Sequence, residues 1–178
     1  MRPGKPDPVK LVASVFTGDP VLFAAVFKKL EEKFGPVDLL SEPLPFTTTD
    51  YYREEFGEVL TRKVASFEGL IGAGDLAPVK LFTNGVEDGY KAGEKRRVNI
   101  DPGYMALEKF VLASCKNFSH RIFLKDGVWA DLTLMYVGDA FTALPWTYPD
   151  YRQEAMTGIL KEIRKRYAFV LGKGLRFG

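Results

Sequence analysis

The spacing of apolar positions changes several times along the 178 residues, and each change marks an element. Residues 9–16 (VKLVASVF) are apolar almost throughout, with Lys10 the interruption, which predicts a central strand covered on both faces. Thr17-Gly18-Asp19-Pro20 then offers an N-cap aspartate and a proline at the first helical position. Leu22, Val26, Leu30 and Phe34 recur at helical spacing until Gly35-Pro36 stops the helix. A short strand over 37–41 leads into EPLPFTTTDYY, whose prolines and threonines predict an ordered polar loop. A further strand is expected over 58–67, and a helix from Asp75 to about Tyr90, weakened by Gly85 and Gly89. Arg97, Asn99 and Asp101 alternate with Val98 and Ile100, an edge-like strand that should end in a turn at Asp101-Pro102-Gly103. Residues 109–115 fit a buried strand, with a helix as the competing reading. Strands over 119–125, 128–137 and 140–145 form a meander. A last helix carries the stripe Met156, Leu160, Ile163, Tyr167 and Val170, with Asp150 and Gln153 in capping-box spacing. Together these predict one α+β domain over 9–178, with a mainly antiparallel mixed sheet, a C-terminal β-meander and about three helices, preceded by a loose proline-rich arm over 1–8.

The meander carries the one histidine. Asp126-Gly127 is a strong two-residue turn signal, and Gly138-Asp139 suits a second. If both turns are ideal, His120 lies opposite Thr133 and Ile122 opposite Asp131, so His120 and Asp131 are diagonal neighbours on one face. Continuing the second register adds Trp146 opposite Asp131. Trp129 and Thr133 join the same face, while Phe123, Ala130, Leu132, Leu134, Tyr136, Phe141 and Ala143 form the core side, with Arg121 at its end. An imidazole oriented by a carboxylate is the arrangement of a general acid/base, so His120 and Asp131 are the catalytic candidates. The alternative is a half-buried histidine hydrogen-bonded on a sheet face.

Composition narrows the setting. Lys and Arg number 25 against 23 Asp and Glu, a balance that argues against a strongly basic nucleic-acid coat and an acidic tail. The exception is the end of the chain, where Lys161, Arg164, Lys165, Arg166, Lys173 and Arg176 outnumber Glu162. A single cysteine, Cys115, cannot form an internal disulfide, and no apolar leader or membrane-length apolar run is present, so a soluble cytoplasmic protein is expected. Cys115 follows an apolar run and is expected to be a buried structural thiol.

Recurrent catalytic motifs contribute little. GAGDLA at 72–77 matches G-x-G-x-x-A, but an aspartate at the cap would repel a pyrophosphate, and a loop with a helix cap is the better reading. No Walker sequence, G-x-S-x-G or Cys/His cluster exists, so no metal or cofactor is assigned. The candidate polar clusters are Arg96, Arg97, Asn99 and Asp101 beside the Pro-Gly turn, and Tyr148, Asp150 and Arg152 at the start of the last helix. Forked arginines near a helix N-terminus suit a phosphate or carboxylate, with Trp129 and Trp146 as an apolar floor and Arg121 close by.

The stretches RRVNIDPGY (96–104), SHRIFL (119–124) and LPWTYPDYR (144–152), with SEPLPFTTTDYYREEFG and VKLFTN, resemble a prokaryotic family designated domain of unknown function 4416. The resemblance spans almost the whole chain, implies a single small α+β domain, and implies no activity or cofactor. The function expected from the residues is binding of a small anionic metabolite, such as a nucleotide or phosphosugar, in a cleft lined by His120, Asp131 and Arg97, with His120 as acid/base. The alternatives are an RNA- or ribosome-associated module that uses the basic last helix and a purely structural interaction protein.

Overall fold

In a computed structural model the apolar opening stretch becomes β1 (Val9–Thr17), every residue of which is buried. The model describes residues 2, 4–46, 56 and 59–173; most of the predicted polar loop over 42–52 lies outside them. After β1 come α1 (Leu22–Phe34), β2 (Val37–Leu40), β3 (Leu44–Pro45), β4 (Thr61–Ile71) and α2 (Leu76–Asp88). The chain continues through β5 (Val98–Met105), β6 (Lys109–Ser114), β7 (Arg121–Lys125), β8 (Val128–Val137), β9 (Ala140–Ala143) and α3 (Glu154–Val170). The described strands form one sheet in the order β2-β4-β1-β5-β6-β8-β7, with β3 beside β4 and β9 beside β8. Every pairing is antiparallel, so the mixed element expected of the sheet is absent among the described strands.

Both faces are covered. Leu11, Ala13 and Val15 pack with Phe23, Val26, Phe27 and Leu30 of α1 and Val79 of α2. Val12, on the opposite side of β1, packs with Val64, Leu134 and the α3 stripe Met156, Leu160, Ile163 and Tyr167. Alternation along a strand thus sends successive residues of β1 to two helical layers, which is why this strand reads as continuously apolar. Lys10 is buried in it because its Nζ donates to Asp38 Oδ2 (2.5 Å) and the Phe67 carbonyl (2.7 Å). The N-terminal arm is tied at its end, where Tyr167 Oη donates to the Pro8 carbonyl and Lys173 pairs with Asp7. Among the described residues no helix is long and apolar enough to cross a membrane.

The sheet differs from the expectation at β5. Instead of turning at Asp101-Pro102-Gly103, the strand runs on to Met105 between β1 and β6, and its pairing with β6 covers Gly103–Met105. Proline in an interior strand is tolerated where a ladder is interrupted. The Ile100 N–H donates to Glu87 Oε1 (2.7 Å), and its carbonyl accepts from Lys80 Nζ (2.8 Å). Ile100 therefore directs its polar groups away from β1, and Pro102, two residues on, points the same way but has no hydrogen to offer. From there β5 and β6 separate, and two buried side chains of α2 replace the missing strand as partners of Ile100. Gly103 marks the crossing point, since a Cβ there would lie 2.5 Å from the Val111 carbonyl oxygen.

Residues 109–114 form the expected strand, and two smaller corrections concern boundaries and register. The strand expected over 58–67 is β4, shifted to 61–71. Asp126 and Gly127 adopt the positive φ of the expected turn, 53° and 74°, and Lys125 pairs with Val128, but an irregularity between Phe123 and Lys125 then moves the register by one. Arg121, not Ile122, stands opposite Asp131. Phe123 consequently turns from the expected core side to pack on Trp129, 58% exposed.

Candidate functional site

The separation of β5 from β6 opens a cleft of about 740 Å³. Its floor comes from alternate residues of three strands on the α3 side of the sheet: Phe16 of β1, Arg62 of β4, Asn99 and Asp101 of β5. The 3-10 turn Pro149–Arg152 before α3 brings in Asp150 and Tyr151, and Tyr148 precedes it. Asp131 of β8 and Arg121 of β7 form one wall, while Lys80 and Glu87 of α2 reach in from the other side of the gap, with Arg96 beside them.

Arg62 is 3% exposed. Its Nη1 donates to Asp150 Oδ2, and its guanidinium lies over the Phe46 ring at 4.1 Å. Burial works against this charge, but Tyr151, Asp150 and Asp101 outweigh it and hold the guanidinium above its ordinary range. Burial also pushes the Tyr151 hydroxyl well up, against the pull of Arg62, so Tyr151 is a neutral phenol in the floor. Asn99, 5% exposed, accepts from Arg96 Nη1 through Oδ1 (2.9 Å). Among the described residues, Arg62 Nε, Asn99 Nδ2, Tyr151 Oη and Ser14 Oγ are buried without a hydrogen-bond partner. Glu87 is raised, first by burial, against Lys80, the Ile100 N–H and Arg96, with Asp101 adding to the rise.

The wall is a connected set. Asp131, 3% exposed, accepts through Oδ2 from Arg121 Nε (2.9 Å) and shares the same oxygen with His120 Nε2 (3.2 Å). Arg121 also donates to the Lys116 carbonyl and to Tyr148 Oη (2.9 and 2.6 Å). His120 precedes β7 in a turn closed by Arg121 N–H to Phe118 O. Its ring stacks on Trp146 (5.0 Å, 10°) and meets the edge of Phe118. His120 and Asp131 thus touch, but through this turn and not through the ladder expected, and the cleft is lined by Asp131 and not by the imidazole.

Other expected site residues separate into two groups. Arg96, Asn99, Asp101, Arg121, Tyr148 and Asp150 do line the cleft. Arg97 turns away and pairs with Asp19 (2.7 Å) ahead of α1. Arg152 fastens the preceding loop by donating to the carbonyls of Thr147, Leu144 and Pro145. Trp129 packs on Phe123, and Trp146 covers His120 while its Nε1 donates to Leu132 O (2.8 Å), so neither floors the cleft. Asp150 serves Arg62 and makes no side-chain cap on α3. Cys115, expected to be buried, is exposed because it falls just past the end of β6, where the sheet is open. Residues 72–75 form the expected loop, in which Asp75 accepts from Gly72 N–H (3.0 Å), but the Asp75 side chain makes no cap on α2.

Arg62, Tyr151, Lys80 and Glu87 escaped the sequence reading. Arg62 left one usable sign: it falls in phase with Val64 and Ser66, the buried alternate positions of a strand, and a charge in that phase is a buried charge with a partner. Lys80 and Glu87 are seven residues apart on α2, one face of a helix. No group of three or more His, Cys, Asp or Glu side chains is placed to hold a metal among the described residues.

Fold and site define a single α+β domain whose ligand-sized cleft lies where an antiparallel sheet divides. The chain belongs to the family described as domain of unknown function (DUF4416), whose model matches residues 7–167. No curated protein and no solved structure matches the chain.

Proposed function

We propose that the cleft binds a small metabolite bearing a phosphate or carboxylate group, in a cytoplasmic protein. One observation carries this reading: Arg62 and Asn99, both almost wholly withdrawn from solvent, line the floor of the cleft, and each keeps a buried donor, Nε and Nδ2, without an acceptor among the described residues. A buried donor left unsatisfied costs about 1–3 kcal/mol, which the oxygen of a ligand would remove. Arg121, fixed by three acceptors, is a wall that needs no rearrangement on binding. His120 supports this wall from behind by sharing the Asp131 oxygen that holds Arg121, and its ring does not line the cleft. The lone Cys115 supports a reducing compartment. An RNA-binding reading has less to draw on, since Arg164 is committed to Leu107 O, Arg166 to Asp38 O, Lys165 to Glu162 and Lys173 to Asp7.

The test is a melting-shift screen with inorganic phosphate, ribose 5-phosphate, AMP, citrate and the common amino acids. A ligand at a hundredfold its Kd stabilises by about 2.7 kcal/mol, and Arg62→Met and Asn99→Ala should weaken it. A flat screen, or variants that bind as tightly as the parent, would defeat the reading; RNA binding that falls steeply with salt would favour the nucleic-acid module.

A further inference from the structure

The carboxylates of the cleft are not equivalent. Asp150 is paired with Arg62, Asp131 with Arg121 and His120, Glu87 with Lys80 and Arg96, and Asp88 with Lys91. Asp101 lines the same cleft and makes no hydrogen bond or ion pair with any described residue, although its charge bears on Arg62, Tyr151 and Glu87. Its side chain is half-buried at the floor. Glu87 faces two cations, so these charges balance when Asp101 is included, but Asp101 is the carboxylate among them without an ion-pair partner of its own among the described residues.

Asp101 is also two residues from Asn99 on β5, on the same face, about 6.6–7 Å along the strand. Asp101 is therefore a near neighbour of Asn99 Nδ2, which with Arg62 Nε, Ser14 Oγ and Tyr151 Oη makes up the buried side-chain atoms without partners among the described residues. Arg62 and Asn99 stand on either side of Phe16, each directly across from it, and an oxyanion bridging their unpaired donors would leave Asp101 facing the adjoining part of the same molecule. A hydroxyl there would satisfy the hydrogen-bonding capacity of Asp101 but not its charge, whereas an ammonium satisfies both.

Resting on the anion-binding reading above, we propose that the ligand is zwitterionic: an amino-bearing acid whose ammonium sits on Asp101 and whose carboxylate or phosphate oxygens sit on Arg62 and Asn99. The ammonium is recognised by its charge, so the amine should count for more in affinity than any other single group of the ligand at that end.

The experiment is calorimetric titration of the wild-type chain with the common amino acids, their 2-hydroxy acid counterparts, and the amine-free ribose 5-phosphate and glucose 6-phosphate. The expected result is an amino acid that binds at least about tenfold more tightly than its 2-hydroxy counterpart. Asp101→Asn, checked for folding by its melting curve, should erase that preference while still binding the hydroxy acid. The comparison on the wild type stands even if the variant does not fold. If the best ligand is an amine-free phosphate or acid, the zwitterion proposal is overturned and anion binding survives. If no probe binds, both fall. If the Asn variant keeps the amine preference, Asp101 is not the group that reads it, and the proposal is overturned.

Discussion

Arg121 stands directly across the β7–β8 ladder from Asp131, its Nε 2.9 Å from Oδ2. The same oxygen holds His120, which makes Asp131 the joint on which the cleft wall is assembled. Asp131→Asn should leave two nitrogen-rich groups around a neutral amide in a site that is 3% exposed, at a cost of about 3 kcal/mol. Urea unfolding monitored by tryptophan fluorescence measures it; a loss below about 1 kcal/mol would mean that the three groups do not act together.

His120→Gln separates the two readings of the histidine. The ring is stacked on Trp146 and bonded to Asp131, so the variant should lose about 1–3 kcal/mol of stability while the folded protein keeps its ligand affinity within about threefold. A variant of unchanged stability that had lost a measured activity by about 10²–10⁴ would restore the imidazole as an acid/base group.

Gly103→Ala probes the crossing of β5 and β6. The added methyl meets a backbone oxygen at 2.5 Å, and a backbone atom cannot swing aside as a side chain can. One strand must shift, at about 1–3 kcal/mol, and a melting curve that matched the parent would show the close approach to be spurious.

Acid stability should depend on Asp38. Burial acts to raise its pKa, but hydrogen bonds from Lys10 and Ser66 and the nearby charges of Lys10 and Arg166 prevail and hold it below the ordinary 3.8. A carboxyl depressed in the folded state contributes stability that is fully present above its unfolded value and is lost as pH falls through the folded value. Denaturation midpoints followed from about pH 6 down to about pH 2.5 should therefore fall on the acid side, and Asp38→Asn should be less stable near neutrality with a flatter acid limb. Parallel pH profiles for the two proteins would contradict this.

Elements whose burial follows a simple period were readable in advance: β1, α1, α2, α3 and the two turns at Asp126-Gly127 and Gly138-Asp139 all stand close to where the apolar spacing places them. What escaped was set by single backbone irregularities. One displaced residue near Leu124 exchanged Arg121 for Ile122 opposite Asp131, and one missing hydrogen at Pro102 turned an expected end of strand into an opening within a sheet. Neither leaves a trace in hydrophobic period. The floor was obscure for a related reason, since Arg62, Asn99, Asp101 and Asp150 come together from β4, β5 and the turn before α3, and only the strand order makes them neighbours.

The parting of β5 and β6 at Pro102 has an evolutionary corollary. The opening is written into the main chain, by an imino acid that cannot donate and by a neighbouring glycine that no larger residue can replace without displacement. The side chains around it are then free to drift in size and charge without closing it. Relatives that keep the proline and the glycine can keep the vessel while changing its contents, so variation within the family should concentrate on the lining rather than on the rim of backbone that creates it.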